Sequence, residues 1–203
     1  MEHKERYNYL KKKKEKELKA QNRSKTEKIL REVLGWVIYV VIVFAATYLI
    51  VNYVGQRTMV SGDSMEATLH DKDNLIVDKI SYRLRDPKRF EIIVFPYQYK
   101  EDTYYIKRII GLPGETIQII DGYIYINGEL LEESYGLEVM NNAGIAREPI
   151  QLGADEYFVL GDNRNASSDS RDPSVGVLKR ENLIGRAWIR IWPFDSIGVI
   201  SHD

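Results

Sequence analysis

The chain has 203 residues, no Cys, three His, and 29 basic against 30 acidic residues for a formal net charge of −1. The lack of Cys excludes a thiol nucleophile and any thiolate metal site, and the balanced charge gives no global argument for nucleic-acid binding. The length suits one domain plus an anchoring segment. Residues 1–32 hold twelve Lys or Arg against six Glu and little apolar surface to bury, which predicts a frayed or helical basic tail. Its Lys11–Lys14 cluster fits nucleic acid or the flank of a membrane anchor, and the next stretch favours the anchor. Residues 33–54 (VLGWVIYVVIVFAATYLIVNYV) carry no ionisable side chain apart from tyrosines. At about 1.5 Å per residue this run spans roughly 33 Å, enough to cross a hydrocarbon core of about 30 Å. The run and the basic region before it are too long for a cleavable signal peptide, and no small-x-small site follows. Residues 55–74 contain only Arg57 and Lys72 as basic residues, so the positive-inside rule puts residues 1–32 in the cytoplasm and residues 55–203 outside.

The exported portion reads as mostly β. Leu75–Val77, Ile92–Phe95, Thr103–Ile110 and Tyr157–Leu160 are short apolar or β-branched runs. Thr116–Ile120 and Tyr123–Ile126 flank Asp121-Gly122, which predicts a hairpin, and Asn127-Gly128 offers a second such turn. Residues 132–154 lose alternation and are expected to be a surface excursion. In Trp188-Ile189-Arg190-Ile191-Trp192, alternation puts both tryptophans on one face and both isoleucines on the other; the stretch is either simply an edge strand over the core or a strand whose Trp face rests at a membrane interface. The fold class is therefore a single N-terminal transmembrane helix followed by a mostly β domain.

The chemistry gathers at Ser61-Gly62-Asp63-Ser64-Met65-Glu66-Ala67-Thr68-Leu69, where Ser64 sits among small, flexible residues. A serine hydroxyl needs a base to become a nucleophile. No G-x-S-x-G elbow is present. Of the histidines, His3 lies across the membrane from Ser64 in this topology, and His70 opens the polar run His70-Asp71-Lys72-Asp73-Asn74, which suits a solvated turn. The other solution is a serine paired with a neutral lysine. Lys107, inside Tyr104-Tyr105-Ile106-Lys107-Arg108-Ile109-Ile110, would have its pKa lowered by burial. Taken alone, a strand lysine more often snorkels to water, and a Gly-Asp-Ser serine is more often a turn residue.

Ser64-Met65 in its setting, Lys107-Arg108-Ile109-Ile110-Gly111-Leu112-Pro113-Gly114-Glu115, and Gly161-Asp162-Asn163-Arg164 through Ser167-x-Asp169-Ser170-Arg171 together resemble the bacterial type I signal peptidases. The resemblance runs from the apolar stretch to Trp192-Pro193. It implies a membrane-anchored serine endopeptidase with a signal-peptidase-like β domain over residues 55–203, needing no cofactor or metal and acting on signal peptides of exported preproteins. It makes Ser64 the nucleophile and Lys107 the base. It further implies that Ser167 hydrogen-bonds the lysine, that Asp162, Asp169 and Arg171 brace the loop by ion pairing, and that Met65, Leu69 and Ile106 line the first substrate pocket. Two positions depart from the family pattern. Gly62 stands where some members carry a serine that helps hold the oxyanion, and Ala67 stands where proline is usual. The alternative is a weak or inactive tethered paralogue that binds peptides without cutting them. A self-cleaving repressor of the same Ser/Lys group would need a DNA-reading helix-turn-helix where this chain has its apolar run.

Overall fold

The computed structural model describes residues 2–100, 103–136 and 138–202, and the chain divides into two compact units, residues 1–50 and 51–203. The first unit is one helix, α1 (Glu2–Leu49). The basic tail and the apolar run share this helix without a break, because neither contains a Gly pair or a Pro to stop it. Lys25–Leu49 is long and apolar enough to cross a membrane, and the large apolar side chains from Val33 onward are exposed on all sides, Trp36 and Phe44 to 70% and 72%. Such a helix has no apolar partner among the described residues of its own unit. A π-helical turn, Ile50–Val54, follows.

The second unit is built on two sheets. Its strands are β1 (Gly55–Met59), β2 (Asn74–Asp78), β3 (Ile92–Pro96), β4 (Tyr104–Gly111), β5 (Thr116–Ile120), β6 (Tyr123–Ile126), β7 (Glu129–Leu130), β8 (Ile150–Gln151), β9 (Glu156–Leu160), β10 (Leu178–Lys179), β11 (Gly185–Trp192) and β12 (Gly198–Val199). The only other α-helical segment among the described residues is the single turn α2 (Ser81–Leu84). The large sheet runs β1-β2-β11-β3-β4-β9-β10, with β12 also on β11, and the small one β7-β6-β5-β8. Every pairing among the described residues is antiparallel, an arrangement that needs no crossover helices.

The strand runs read from sequence fall on β2, β3, β4 and β9, and both two-residue turns are present. Asp121 and Gly122, then Asn127 and Gly128, all have positive φ, the conformation a tight hairpin turn requires. The middle of the large sheet, at β3 and β4, is covered on both faces. On β3, Ile92 and Val94 join a core with Met65, Leu69 and Leu75, while Ile93 and Phe95 join another with Tyr82, Ile109 and Val159. Double coverage explains why β3 and β4 read as continuous apolar runs rather than alternating ones.

Two expectations are corrected. Residues 132–154 are more than a surface excursion: Met140, Ala146 and Leu152 are buried against Ile117, Ile124 and Phe158 of the strands, and β8 pairs with β5. Their apolar positions follow no period, because the segment is held by a short 3-10 turn at Gly144–Arg147 and scattered side chains rather than by one long element. β11 is also not an edge strand, since it pairs with β2, β3 and β12. Irregularities between Ala187 and Ile189 and between Arg190 and Trp192 interrupt simple alternation along it.

Candidate active site

Ser64 sits in a tight turn whose apolar anchors are its neighbours. Met65 and Leu69 are buried in the core beneath it, and the Thr68 and Leu69 amides donate to the Met65 carbonyl, each at 2.9 Å. The chain entering the turn is pinned by Val60 N–H to the Asp73 carbonyl (2.8 Å) and Gly62 N–H to Asp71 Oδ1 (2.9 Å). Sinking Met65 and Leu69 leaves Ser64 partly exposed at the rim.

Lys107 comes from the middle of β4, opposite Ile93 of β3. It is 4% exposed, its Nζ lies 2.8 Å from Ser64 Oγ, and it donates to the Ile106 carbonyl at 2.9 Å. Burial pulls its pKa down to about 8, against the opposing pull of the Asp169 and Asp162 charges. The Tyr105 ring centroid is 5.1 Å from Nζ and stacks on Tyr97 at 4.6 Å. Ser64 and Lys107 open on a cleft of about 270 Å³ that Met65, Ile106, Met59, Tyr104 and Ser168 help to line.

The residues around the dyad form two buried ion pairs. Asp162 receives a bidentate pair from Arg108, Nε to Oδ1 at 2.8 Å and Nη2 to Oδ2 at 2.7 Å, with both side chains at 0% exposure. Thr68 Oγ1 donates to the same carboxylate at 2.6 Å, so the network joins the serine turn, β4 and the 161–164 loop. The Arg108 guanidinium also donates to the Phe90 carbonyl (2.8 Å) and lies 3.6 Å from the Tyr135 ring centroid. Asp169 holds Arg171 through both oxygens at 2.8 Å and accepts from Gly161 N–H at 3.0 Å. Arg164 pairs with Glu133. The loop meets the serine directly: Asn163 N–H donates to the Ser64 carbonyl at 3.1 Å, and Asn163 Nδ2 to the Asp63 carbonyl at 3.2 Å. Gly161 makes this approach possible, since a Cβ there would overlap Ser167 Oγ and the Ser64 carbonyl oxygen.

Two of the residues named from sequence, Ser167 and Leu69, behave differently from their implied roles. Ser167 lies beside this contact, but its buried Oγ has no hydrogen-bond partner among the described residues, so the implied bond to Lys107 is not made; the amine instead donates to the Ile106 carbonyl. Leu69 is fully buried and stays beneath the turn rather than lining the cleft. Ala67 is exposed and follows a cis peptide bond from Glu66. The two histidines of this unit stay out of the cleft. His70 is more than half exposed and 3.3 Å from the Glu66 carboxylate. His202 Nδ1 accepts from the Ile92 amide at 3.1 Å, and burial pushes its pKa down. Sequence reasoning gave no role to Arg108, Thr68 or Tyr105. For Arg108 the signal was present: in a doubly covered strand, a charge beside Lys107 must face the opposite core and needs a buried partner.

A buried lysine amine against a serine hydroxyl, in a β domain with an extended cleft, is the constellation of a serine hydrolase. Residues 33–192 match the family model described as signal peptidase, peptidase S26. The chain is 41% identical over 157 residues to a probable signal peptidase I-2 of Synechocystis sp., covering 75% of this chain and 70% of that one. It is 34% identical over 176 residues to a signal peptidase I of Bacillus amyloliquefaciens, covering 81% and 91%. A crystal structure of a signal peptidase I from Enterococcus faecalis, 34% identical, matches 50% of this chain and 97% of that one with a TM-score of 0.40. The chain belongs to the signal peptidase, peptidase S26 family. It is a serine endopeptidase of the family that cleaves signal peptides.

Proposed function

We propose that this chain removes signal peptides from exported preproteins, with Ser64 as nucleophile and Lys107 as its general base. The observation that carries the reading is the 2.8 Å approach of a 4% exposed amine to the serine hydroxyl. Neutral Lys107 takes the Ser64 proton as Oγ attacks the scissile carbonyl carbon, and the resulting ammonium returns that proton to the departing amine. The acyl group remains as an ester on Ser64 until water, deprotonated by the same lysine, releases it. The Ser64 backbone N–H is the most direct donor for the developing oxyanion, and Gly62 offers no hydroxyl to assist it. The substrate lies extended in the cleft between the Met59–Met65 and Tyr104–Lys107 segments, with small side chains against Met65 and Ile106. Ser167 acts here as packing beside the Ser64 carbonyl, while Asp162, Asp169 and Arg171 fix the loop that supports it.

Full-length protein in detergent should cleave a signal-peptide substrate after Ala-x-Ala, and Ser64→Ala should not. The rate should climb about tenfold per pH unit below about 8 and level off above it, because only the neutral amine accepts a proton. The sign follows from the depressed pKa: acidification charges Lys107 and removes the base. Binding of the substrate without any product would instead favour a tethered peptide-binding paralogue.

Residues 33–54 anchor the protein in the membrane in this reading, with the basic tail in the cytoplasm and residues 55–203 outside. Protease added to intact protoplasts should digest residues 55–203 and spare residues 1–32. A protected β unit would reverse the orientation.

A further inference from the structure

A second surface of the β unit has features that cleavage does not use. It is the turn at residues 79–89, built around α2, at the end of the β1–β2 ladder remote from the serine. Gly55, the first residue of β1, pairs with Asp78, and the Lys79 amide donates to the Val54 carbonyl at 3.1 Å. The turn is therefore packed against the residues that directly follow the apolar helix in the chain. Asp78 makes it rigid: Oδ1 accepts from the amides of Ile80 (2.9 Å) and Ser81 (3.0 Å), and Oδ2 from Ser81 Oγ (2.5 Å).

The side chains it presents are basic and apolar. Residues 79–89 contain Lys79, Arg83, Arg85, Lys88 and Arg89 against one acid, Asp86. Arg85 is committed to Glu91 and Arg89 to Glu115, while Asp86 faces Arg180 at 3.7 Å. Lys79, Arg83 and Lys88 have no carboxylate partner among the described residues, and Arg83 and Lys88 are exposed. Ile80 has helical backbone angles, so it and Leu84 lie one turn apart on a single face; Leu84 is 81% exposed. Lys79 and Arg83 have the same spacing beside them. The Arg83 guanidinium lies 5.0 Å from the ring centroid of Tyr53, an aromatic residue at the end of the apolar stretch.

We propose that this turn is a docking surface for a bilayer carrying anionic phospholipids, with Leu84 entering the interface and Lys79, Arg83 and Lys88 meeting the phosphates. Unpaired cations around an exposed leucine match an anionic interface in both charge and polarity. The turn is hydrogen-bonded to Val54, the last residue of the apolar stretch, so the inference rests on the reading of residues 33–54 as an anchor. The surface is distinct from the apolar side chains Met59 and Trp192, which align on Asn74 at the opposite end of the same ladder, about 13 Å away along β1. Contact at the α2 end fixes how β1 approaches the bilayer. It thereby sets the height of the cleft, which opens at Met59 and Val60.

Because the chain has no Cys, Leu84→Cys gives a single attachment point for a nitroxide on the full-length protein. The labelled protein is reconstituted in phosphatidylcholine vesicles with or without phosphatidylglycerol. A label at Phe44→Cys reports insertion of the helix. Docking predicts that the residue 84 label meets oxygen more than a water-soluble nickel chelate only when phosphatidylglycerol is present, and that high salt reverses this. Each of Lys79→Gln, Arg83→Gln and Lys88→Gln should lower the docked-to-undocked ratio about fivefold. A residue 84 label that stays in water while residue 44 is in lipid overturns the docking surface and leaves the anchor intact. Equal lipid contact without phosphatidylglycerol overturns the anionic requirement, and spin–spin broadening between residue 84 labels assigns the face to a second copy instead. A residue 44 label in water overturns the anchor and the docking surface together.

Discussion

Lys107→Met is expected to reduce cleavage by about 10²- to 10⁴-fold, the range for loss of a positioned base, while the domain stays folded. Methionine keeps the length and apolar volume of the side chain, so repacking should change stability by less than about 1.5 kcal/mol. Linkage acts in the same direction. An unfolded chain would hold the lysine proton up to about its ordinary pKa of 10.5, whereas the fold holds it only to about 8. Between these values the unfolded state binds more protons, so the lysine's contribution to stability improves as pH rises and is least favourable below about 8. Removing the amine removes that cost, so the variant should melt no lower than the parent at neutral pH. His70→Ala is the matching control. Its imidazole is exposed and engaged with Glu66, and the variant should retain most of the rate. Normal cleavage by Lys107→Met together with a dead His70→Ala would falsify the assignment of the base.

Asp162→Ala should have the largest effect on stability. It strands the Arg108 guanidinium at 0% exposure, and breaking one side of a buried pair costs about 3–5 kcal/mol. For a domain of this size that lowers the melting temperature by roughly 10 °C. Arg108→Met combined with Asp162→Leu should recover much of the melting temperature, because an apolar pair of similar volume often replaces a buried ion pair without loss. The double variant should still cleave poorly, since Thr68 loses its carboxylate acceptor and the Thr68–Asp162–Arg108 link from the serine turn to β4 is gone. The pH profile separates the two effects. Asp162 pulls the Lys107 pKa upward, so its removal should move whatever rate remains to lower pH. A double variant with the parental profile and rate would show that Asp162 serves stability alone.

The long apolar helix, the hairpins at Asp121-Gly122 and Asn127-Gly128, and the runs on β2, β3, β4 and β9 were legible in the sequence because each depends on local rules. A length of unbroken apolar residues, a pair of residues that accept positive φ, and a short β-branched run carry their meaning within a few positions. Ser64 and Lys107 could be named as partners from residue types, by elimination of other bases and by resemblance. Their separation of 43 residues in sequence and 2.8 Å in space depends on β4 standing beside the buried Met65–Leu69 turn. The sequence likewise contained Arg108 without revealing Asp162 as its partner 54 residues away. It contained Ser167 without revealing that its hydroxyl rests beside Gly161 with no hydrogen-bond partner among the described residues. The interior place of β11 was not legible for a related reason: whether a strand lies at an edge depends on which others pair with it, and β11 pairs with Asn74–Asp78 and Ile93–Val94, far back in the chain. Local propensity determined which segments became helix, strand and turn. Burial of side chains from distant strands around shared cores decided which charged groups met, which were stripped of water, and so which amine had its pKa lowered.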